Sequence, residues 1–343
     1  MATQRLTLIH NPNAGDDRQP TVGQLHALLK EAGYKVRYQS AKEDGWEKAL
    51  KRPADVVAIA GGDGTVTKVA RRLIGRDVPI AVLPMGTANN ISKTLGIADM
   101  PVTQLIRAWE SARRVTFDAG IARGPWGERF FIEGAGAGLL TTAIPKASKS
   151  KTLEQLKETD AKVSYAQQIF HEHLADAPAM DVKLKVDGED ISGRFLLLEV
   201  LNIQYIGPNL FLAPDLVRND GEFDVVMVLE KHREKLRKHI KQWQEGKLLP
   251  PEFKTRRGKR IDIRWTGFPL HIDDKLWPEK GAKKPKVPQD IQFEVEAEAV
   301  RFLVPAEVHE MQELARKNRE KGVQIAEKNA ARKKKGRARR SRR

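Results

Sequence analysis

Two glycine-bearing clusters hold the residues best equipped for chemistry. The first, Gly61-Gly62-Asp63-Gly64-Thr65, directly follows the apolar run Val56 to Ala60. Phosphate groups are bound by backbone N–H donors at close approach. Glycines at a strand-to-helix junction permit it, because no Cβ intrudes and the helix N-terminus leaves amides unpaired. Thr65 can cap the following helix or bond a phosphate oxygen. Asp63 would repel a bare phosphate, so it points to a magnesium ion or a hydroxyl partner. The second cluster, Leu83-Pro84-Met85-Gly86-Thr87-Ala88-Asn89-Asn90, follows the apolar run Ile80 to Leu83. Gly86 offers backbone approach, Thr87 a hydroxyl and Asn89 an amide, a set suited to phosphate or ribose. Asn11, after Leu6 to Ile9, would enter the same crevice, although for this residue alone a turn or cap is the favoured use. No GxxxxGK[ST] sequence is present, so this is not a P-loop.

The elements that would position these residues can be read from periodicity. Leu6 to Ile9 predicts a strand that ends at Asn11-Pro12-Asn13-Ala14-Gly15, and Val22, Leu25, Leu29 and Ala32 share one helical face. Val36 to Tyr38 predicts a second strand, and Trp46, Ala49 and Leu50 a short helix. Val56 to Ala60 is apolar throughout and β-branched in part, as a central parallel strand covered on both faces should be. Val66, Val69, Ala70 and Leu73 then recur at helical spacing before the strand Ile80 to Leu83. The first third thus reads βαβαβαβ, a doubly wound α/β arrangement. From about Val115 the pattern becomes alternating, with Val182 to Val186, Phe195 to Val200, Phe223 to Leu229 and Ile291 to Val295 predicting a largely antiparallel sheet or sandwich. Thr152 to Leu174 and the basic Lys231 to Trp243 predict helices, the latter either a membrane-surface helix or one docked on its own sheet. Val308, Met311, Leu314 and Ala315 define a terminal amphipathic helix.

Composition limits the partners. Of the formal charge of +16, nine units lie between Arg332 and Arg343, leaving +7 for the rest. A tail of that kind lacks the apolar area to order itself and would attract anionic lipid or, less favoured, nucleic acid. The absence of cysteine excludes disulfides, thiolate metal sites and cysteine nucleophiles. No apolar run approaches the roughly 18 residues of a membrane span. The opening Met1 to Arg5 leads directly into a strand and does not resemble a signal peptide. A cytoplasmic protein follows, with peripheral membrane association if the acceptor is a lipid.

GGDGT followed by LPMGTANN, with the opening Asn11-Pro12-Asn13-Ala14-Gly15, resembles the catalytic domain of diacylglycerol kinases, sphingosine kinases and their bacterial relatives. Phe131 to Gly138 is similar to that family's glycine-rich approach to its second domain, and Leu212-Ala213-Pro214 with Asn219 to Val225 to its later Pro and Asp-Gly motif. The resemblance implies a nucleotide domain over 1–122 with a returning C-terminal helix at 303–328, a lipid-side β-sandwich over 123–302, and a disordered basic tail at 329–343. It further implies ATP in the cleft, with Gly61, Gly62, Asp63, Gly64 and Thr65 at the phosphates, Gly86, Thr87 and Asn89 nearby, Asn11 beneath and Ser40 at a nucleotide-contacting position. A structural Mg2+ would use Asp220, with the carbonyls of Val217 and Glu222.

The sequence departs from the family where the chemistry should be. The family's proposed base is the Glu of a late Asp-Gly-Glu, and here His271-Ile272-Asp273-Asp274-Lys275 puts Lys275 in its place. A lysine at its ordinary pKa cannot accept a proton at neutral pH. Asp273, which keeps the family's first Asp, is therefore expected as the base ahead of Asp274, with Asp63 the other catalytic carboxylate. Glu133 stands where relatives have Asn, and Asn90 where they have Asp. The expected activity is transfer of the γ-phosphoryl of ATP to a lipid hydroxyl. The alternatives are a nucleotide-binding relative with an altered acceptor or no efficient activity, and a soluble NAD kinase-like enzyme.

Overall fold

A computed structural model describes residues 3–318 apart from 148, 248, 254, 280 and 282–284. Strand β1 (Arg5–His10) leads to helix α1 (Val22–Glu31), whose first turn is closed by a capping box: Gln24 N donates to Thr21 Oγ1 and Thr21 N to Gln24 Oε1. Strands β2 (Lys35–Ser40), β3 (Val56–Gly61) and β4 (Ile80–Pro84) follow, with α2 (Asp63–Leu73) between the last two. They pair in parallel in the order β2-β1-β3-β4. Every residue of β3 and β4 is buried, which explains their uninterrupted apolar sequence. On α2, Val66, Val69, Ala70 and Leu73 form the buried stripe that fixes its position against the sheet. The carboxyl ends of β1, β3 and β4 consequently deliver Asn11, the GGDGT loop and Gly86 to one edge of the sheet.

Helices α3 (Asn90–Thr94) and α4 (Val102–Ala108) complete this unit before β5 (Arg113–Gly124), β6 (Gly127–Phe131) and the small-residue strand β7 (Gly134–Gly138). A helical layer follows: α5 (Leu139–Ala147), α6 (Lys151–Gln155) and α7 (Thr159–Leu174). The single helix expected over Thr152 to Leu174 is thus two, interrupted where Leu156 and Glu158 are extended. Strands β8 (Met180–Val186), β9 (Glu189–Asp190), β10 (Gly193–Leu201), β11 (Tyr205–Ile206), β12 (Leu210–Phe211) and β13 (Phe223–Leu229) lead to α8 (Arg233–Gln244). The chain then forms β14 (Thr255–Gly258), β15 (Arg260–Trp265), β16 (Leu270–Ile272), β17 (Lys275–Trp277) and β18 (Gln289–Val304).

These later strands pair antiparallel and enclose a second core of Phe131, Phe195, Phe223, Phe293, Trp265 and Trp277, the expected β-sandwich. Of the two readings of α8, the docked one holds, because Leu236, His239, Ile240 and Trp243 are all buried.

The junction between the units is a long strand, and the described part of the expected returning helix follows it. β18 is 16 residues long: Gln289–Glu294 pairs with β15, its later half pairs with β5, and Phe302 lies in parallel register with Ile80 of β4. One continuous backbone therefore belongs to both sheets. Of the returning segment 303–328, residues 303–304 finish this strand and 306–318 are helical, with Val308 buried and Gln312 Nε2 donating to Thr94 O at 3.2 Å. Residues 319–328 and the basic tail lie outside the described residues.

Candidate functional site

The two glycine clusters meet backbone to backbone. A Cβ on Gly62 would lie 2.8 Å from Gly86 Cα, and one on Gly86 would lie 2.3 Å from Gly62 Cα. Glycine is therefore required at both positions by the neighbouring loop, independently of any ligand. Gly61 faces its own helix, where a Cβ would come 2.9 Å from Thr65 Oγ1. No side chain caps α2 at Gly62, and Gly64 in its first turn is exposed. That leaves the amide end of an 11-residue helix open to the cleft.

The cleft, about 480 Å³, is lined by Asn11, Asn13, Ala14 and Gly15 from the loop after β1, and by Ala41 and Lys42 after β2. Gly62, Asp63, Gly64, Thr65 and Lys68 line it from the β3–α2 junction, Gly86 and Thr87 from the loop after β4, and Lys162 and Asp274 from the second unit. Asn11 Nδ2 donates to Thr65 Oγ1 at 3.3 Å, so the first and third strands are bridged at the floor. Three lysines, Lys42, Lys68 and Lys162, surround an open helix N-terminus, an arrangement that attracts a polyanion. Lys68 is partly held by Ala41 O at 3.3 Å and lies 4.6 Å above the Trp46 ring.

None of these lysines was identified from the sequence. Lys68 lies one turn beyond Thr65 and could have been found by projecting α2 from the loop. Lys162 had no local signal, since α7 reaches the cleft through tertiary contact. Asp16 makes that contact, its carboxylate accepting from Thr159 N and Thr159 Oγ1 at 3.3 Å and from Arg18 Nη2 at 2.7 Å.

Several expected ligand residues instead build the walls. Ser40 is buried, its Oγ accepts from Lys42 N at 3.2 Å, and it does not line the cleft. It shapes the turn that presents Lys42. Asn89, in left-handed backbone at φ 53°, accepts from Gly86 N at 2.8 Å and donates to Gly86 O at 2.9 Å. Both ends of its amide are spent holding the loop. Asp63 lines the cleft, yet its two oxygens accept from Asn90 N and Ile91 N at 2.9 Å each. It caps α3 and ties the two loops together, where a magnesium or hydroxyl partner was expected. Burial pushes its carboxyl above the usual range, against the pull of those amides.

Asp273 requires the largest correction. Its side chain is fully buried, and its carboxylate accepts from Glu133 N at 2.8 Å, Ile132 N at 3.1 Å and Gly134 N at 3.4 Å. Arg71 lies 3.9 Å away. Burial drives the carboxyl up to about 6, opposed by Arg71 and by these amides. A carboxylate held in this way joins the β16–β17 turn to β7 and cannot reach an incoming hydroxyl. Asp274 is the one that lines the cleft, 42 % exposed, 4.0 Å from Arg71 and 3.3 Å from Lys275. Lys275 itself points outward, 66 % exposed.

The residues of the expected magnesium set have other surroundings. Asp220 is ion-paired to Arg257, which also lies 2.9 Å from Glu222. Val217 lines a different cavity, beside Arg218 and Gln312. Among the described residues no group of three or more His, Asp or Glu could hold a metal ion. Arg257 supplies the positive charge that the turn requires, so these donors do not fit a cation. Asp118, which had not been singled out, organises the same turn by accepting from Gly221 N at 2.8 Å and from Glu298 N at 2.7 Å.

Known proteins match this architecture. The diacylglycerol kinase catalytic domain model matches residues 5–120, and the YegS C-terminal NAD kinase beta sandwich-like domain model matches residues 145–303. A diacylglycerol kinase of Bacillus subtilis strain 168 is 29% identical over 241 residues, 66% of this chain and 74% of that protein. One from Staphylococcus haemolyticus strain JCSC1435 is 25% identical over 289 residues, 81% of this chain and 83% of that protein. The crystal structure of a diacylglycerol kinase from Bacillus anthracis str. Sterne shares the fold, with a TM-score of 0.65 at 20% identity over 90% of this chain and 99% of that one.

Proposed function

This chain belongs to the bacterial diacylglycerol-kinase-like lipid kinase family, and we propose that it transfers the γ-phosphoryl of ATP to a hydroxyl of diacylglycerol or a related lipid at a membrane surface. The observation that carries this is the cleft itself: an uncapped helix N-terminus, a glycine-on-glycine contact and three lysines at one sheet edge. Backbone amides of the Gly62–Gly64 turn take the β- and γ-phosphates, Lys42, Lys68 and Lys162 balance their charge, and Thr87 lies alongside. Magnesium enters with ATP as its phosphate counter-ion. Asn11, Asp63 and Asn89 keep the loops rigid, so the phosphates are met without reorganisation.

No helix of the described residues is long and apolar enough to cross a membrane. The basic tail favours an anionic surface. One observation favours a second acceptor: apart from Ala14 and Ala41 the cleft is lined by glycine and polar side chains, which would also admit a soluble nucleotide such as NAD. Radiolabelled ATP offered to the full chain with a total lipid extract, and separately with NAD, separates the two. Label in a lipid product is the expected result. Label only in a nucleotide product, or in none, overturns the lipid reading.

A further inference from the structure

Phosphoryl transfer to an alcohol requires a group that takes the hydroxyl proton, and four carboxyls meet where the two units join. Three are already engaged. Asp63 has each oxygen on an amide of α3. Asp273 is enclosed by three amides with no exposed side-chain surface. Asp274 lines the cleft with its carboxylate held between Arg71, at 4.0 Å, and Lys275, at 3.3 Å.

Glu133 differs. Its backbone is pinned on both sides, the N–H donating to Asp273 Oδ1 at 2.8 Å and the carbonyl accepting from Asn202 N at 2.9 Å. The residue is only 6% exposed. Yet no donor among the described residues reaches either carboxyl oxygen. The charged groups facing it are Asp63 and Arg71 from α2 and Asp273 and Asp274 from the β16–β17 turn. Burial first, and then the three neighbouring carboxylates, hold its carboxyl well above the usual range, with Arg71 opposing. A proton affinity raised in that direction is what general-base work asks of a carboxyl.

We propose that Glu133 is the general base of the transfer. Its carboxylate takes the proton of the acceptor hydroxyl while that oxygen's lone pair forms the bond to the γ-phosphorus of ATP. The bond from the γ-phosphorus to the β–γ bridging oxygen breaks, and its electron pair leaves with ADP. The proton passes from Glu133 to solvent as the phosphorylated product departs. Asp273 acts as a positioning residue, fixing the amide of Glu133. This assignment rests on the phosphotransfer function proposed above.

The test compares Glu133→Gln and Glu133→Asp with the unaltered chain, using γ-labelled ATP with magnesium and diacylglycerol in mixed micelles. Gln removes a desolvated carboxyl at constant shape, so it should melt no lower than the parent and bind ATP equally well. It should lower kcat by about 100-fold or more, the usual contribution of a general base, and abolish the acid limb of the pH profile. Asp should retain part of the activity. A Glu133→Gln protein that folds, binds ATP and keeps kcat within about three-fold of the parent would overturn the proposal. If the parent labels no lipid, the lipid acceptor is wrong, but slow hydrolysis of ATP by water still reads the base. Equal hydrolysis by the parent and Glu133→Gln overturns the assignment, and a parent with neither transfer nor hydrolysis overturns both.

Discussion

Gly86→Ala probes the contact on which the whole cleft depends. The added Cβ would sit 2.3 Å from Gly62 Cα and 2.8 Å from Asn89 Oδ1, whereas ordinary contacts begin at 3.4 Å. The two loops must therefore separate by about 1 Å, and the obstacle is backbone, which cannot rotate aside as a long side chain would. Overpacking of this kind costs roughly 1–3 kcal/mol. Displacing Asn89 also strains two hydrogen bonds to Gly86, each with a net contribution of about 1 kcal/mol. A loss near 2–4 kcal/mol is thus expected on thermal or denaturant unfolding. The functional effect should be larger, because a displacement of about 1 Å at a positioned phosphate can cost on the order of 100-fold in rate. Gly23→Ala is the control: it lies in α1, its Cβ would meet nothing nearer than 4.0 Å, and removing a helical glycine should stabilise by up to about 1 kcal/mol. Calorimetry with ATP and a melting curve would be run on all three proteins. A Gly86→Ala chain that melts with the parent and binds ATP within about three-fold of it would refute the claim that the loop contact sets the phosphate site.

Lys68→Met removes a cleft cation while keeping an apolar stem beside Trp46, so ATP affinity should fall roughly 10- to 100-fold with little change in melting temperature; isothermal titration reads both the loss and a shallower salt dependence. Arg257→Gln leaves Asp220 and Glu222 without their cation. Because these groups are partly exposed, the loss should be about 1 kcal/mol, and millimolar magnesium should raise the melting temperature of the variant more than that of the parent; an equal response would show that the guanidinium does not stand in for a metal. The pH dependence follows from Asp273. Its folded pKa, near 6, exceeds the unfolded value, so the native state holds the extra proton and stability declines as pH rises from about 4 to 6, by on the order of 2–3 kcal/mol. A melting temperature that rose with pH across that interval would contradict the assignment.

The first unit was legible because its signals are local. A strand buried on both faces must be apolar along its length, and Val56 to Ala60 and Ile80 to Leu83 are. A loop that another backbone must touch has to be glycine, and Gly62 and Gly86 are. Alternation in the later strands identified the sandwich for the same reason. The register that joins the units was less accessible. β18 alternates only over its first part, and nothing near Phe302 in sequence announces that it will lie beside Ile80. Pairings across more than 200 residues are set by the assembled core.

Side-chain roles followed the same division. Residue type indicated that Asp63, Asn89 and Asp273 belonged near the cleft, and two of them lie in or against its loops. Their roles were hidden because a carboxylate's chemistry depends on which donors reach it. For Asp273 these are the amides of Ile132, Glu133 and Gly134, about 140 positions away in the chain. Those amides convert the expected base into a fastener, and the same contact pins the backbone of Glu133 and leaves its carboxyl free. The two assignments therefore depend on each other. If Asp273→Asn were to abolish transfer while Glu133→Gln did not, the amides would have to release Asp273 during turnover, and the junction between β7 and the β16–β17 turn would be the moving part of the molecule.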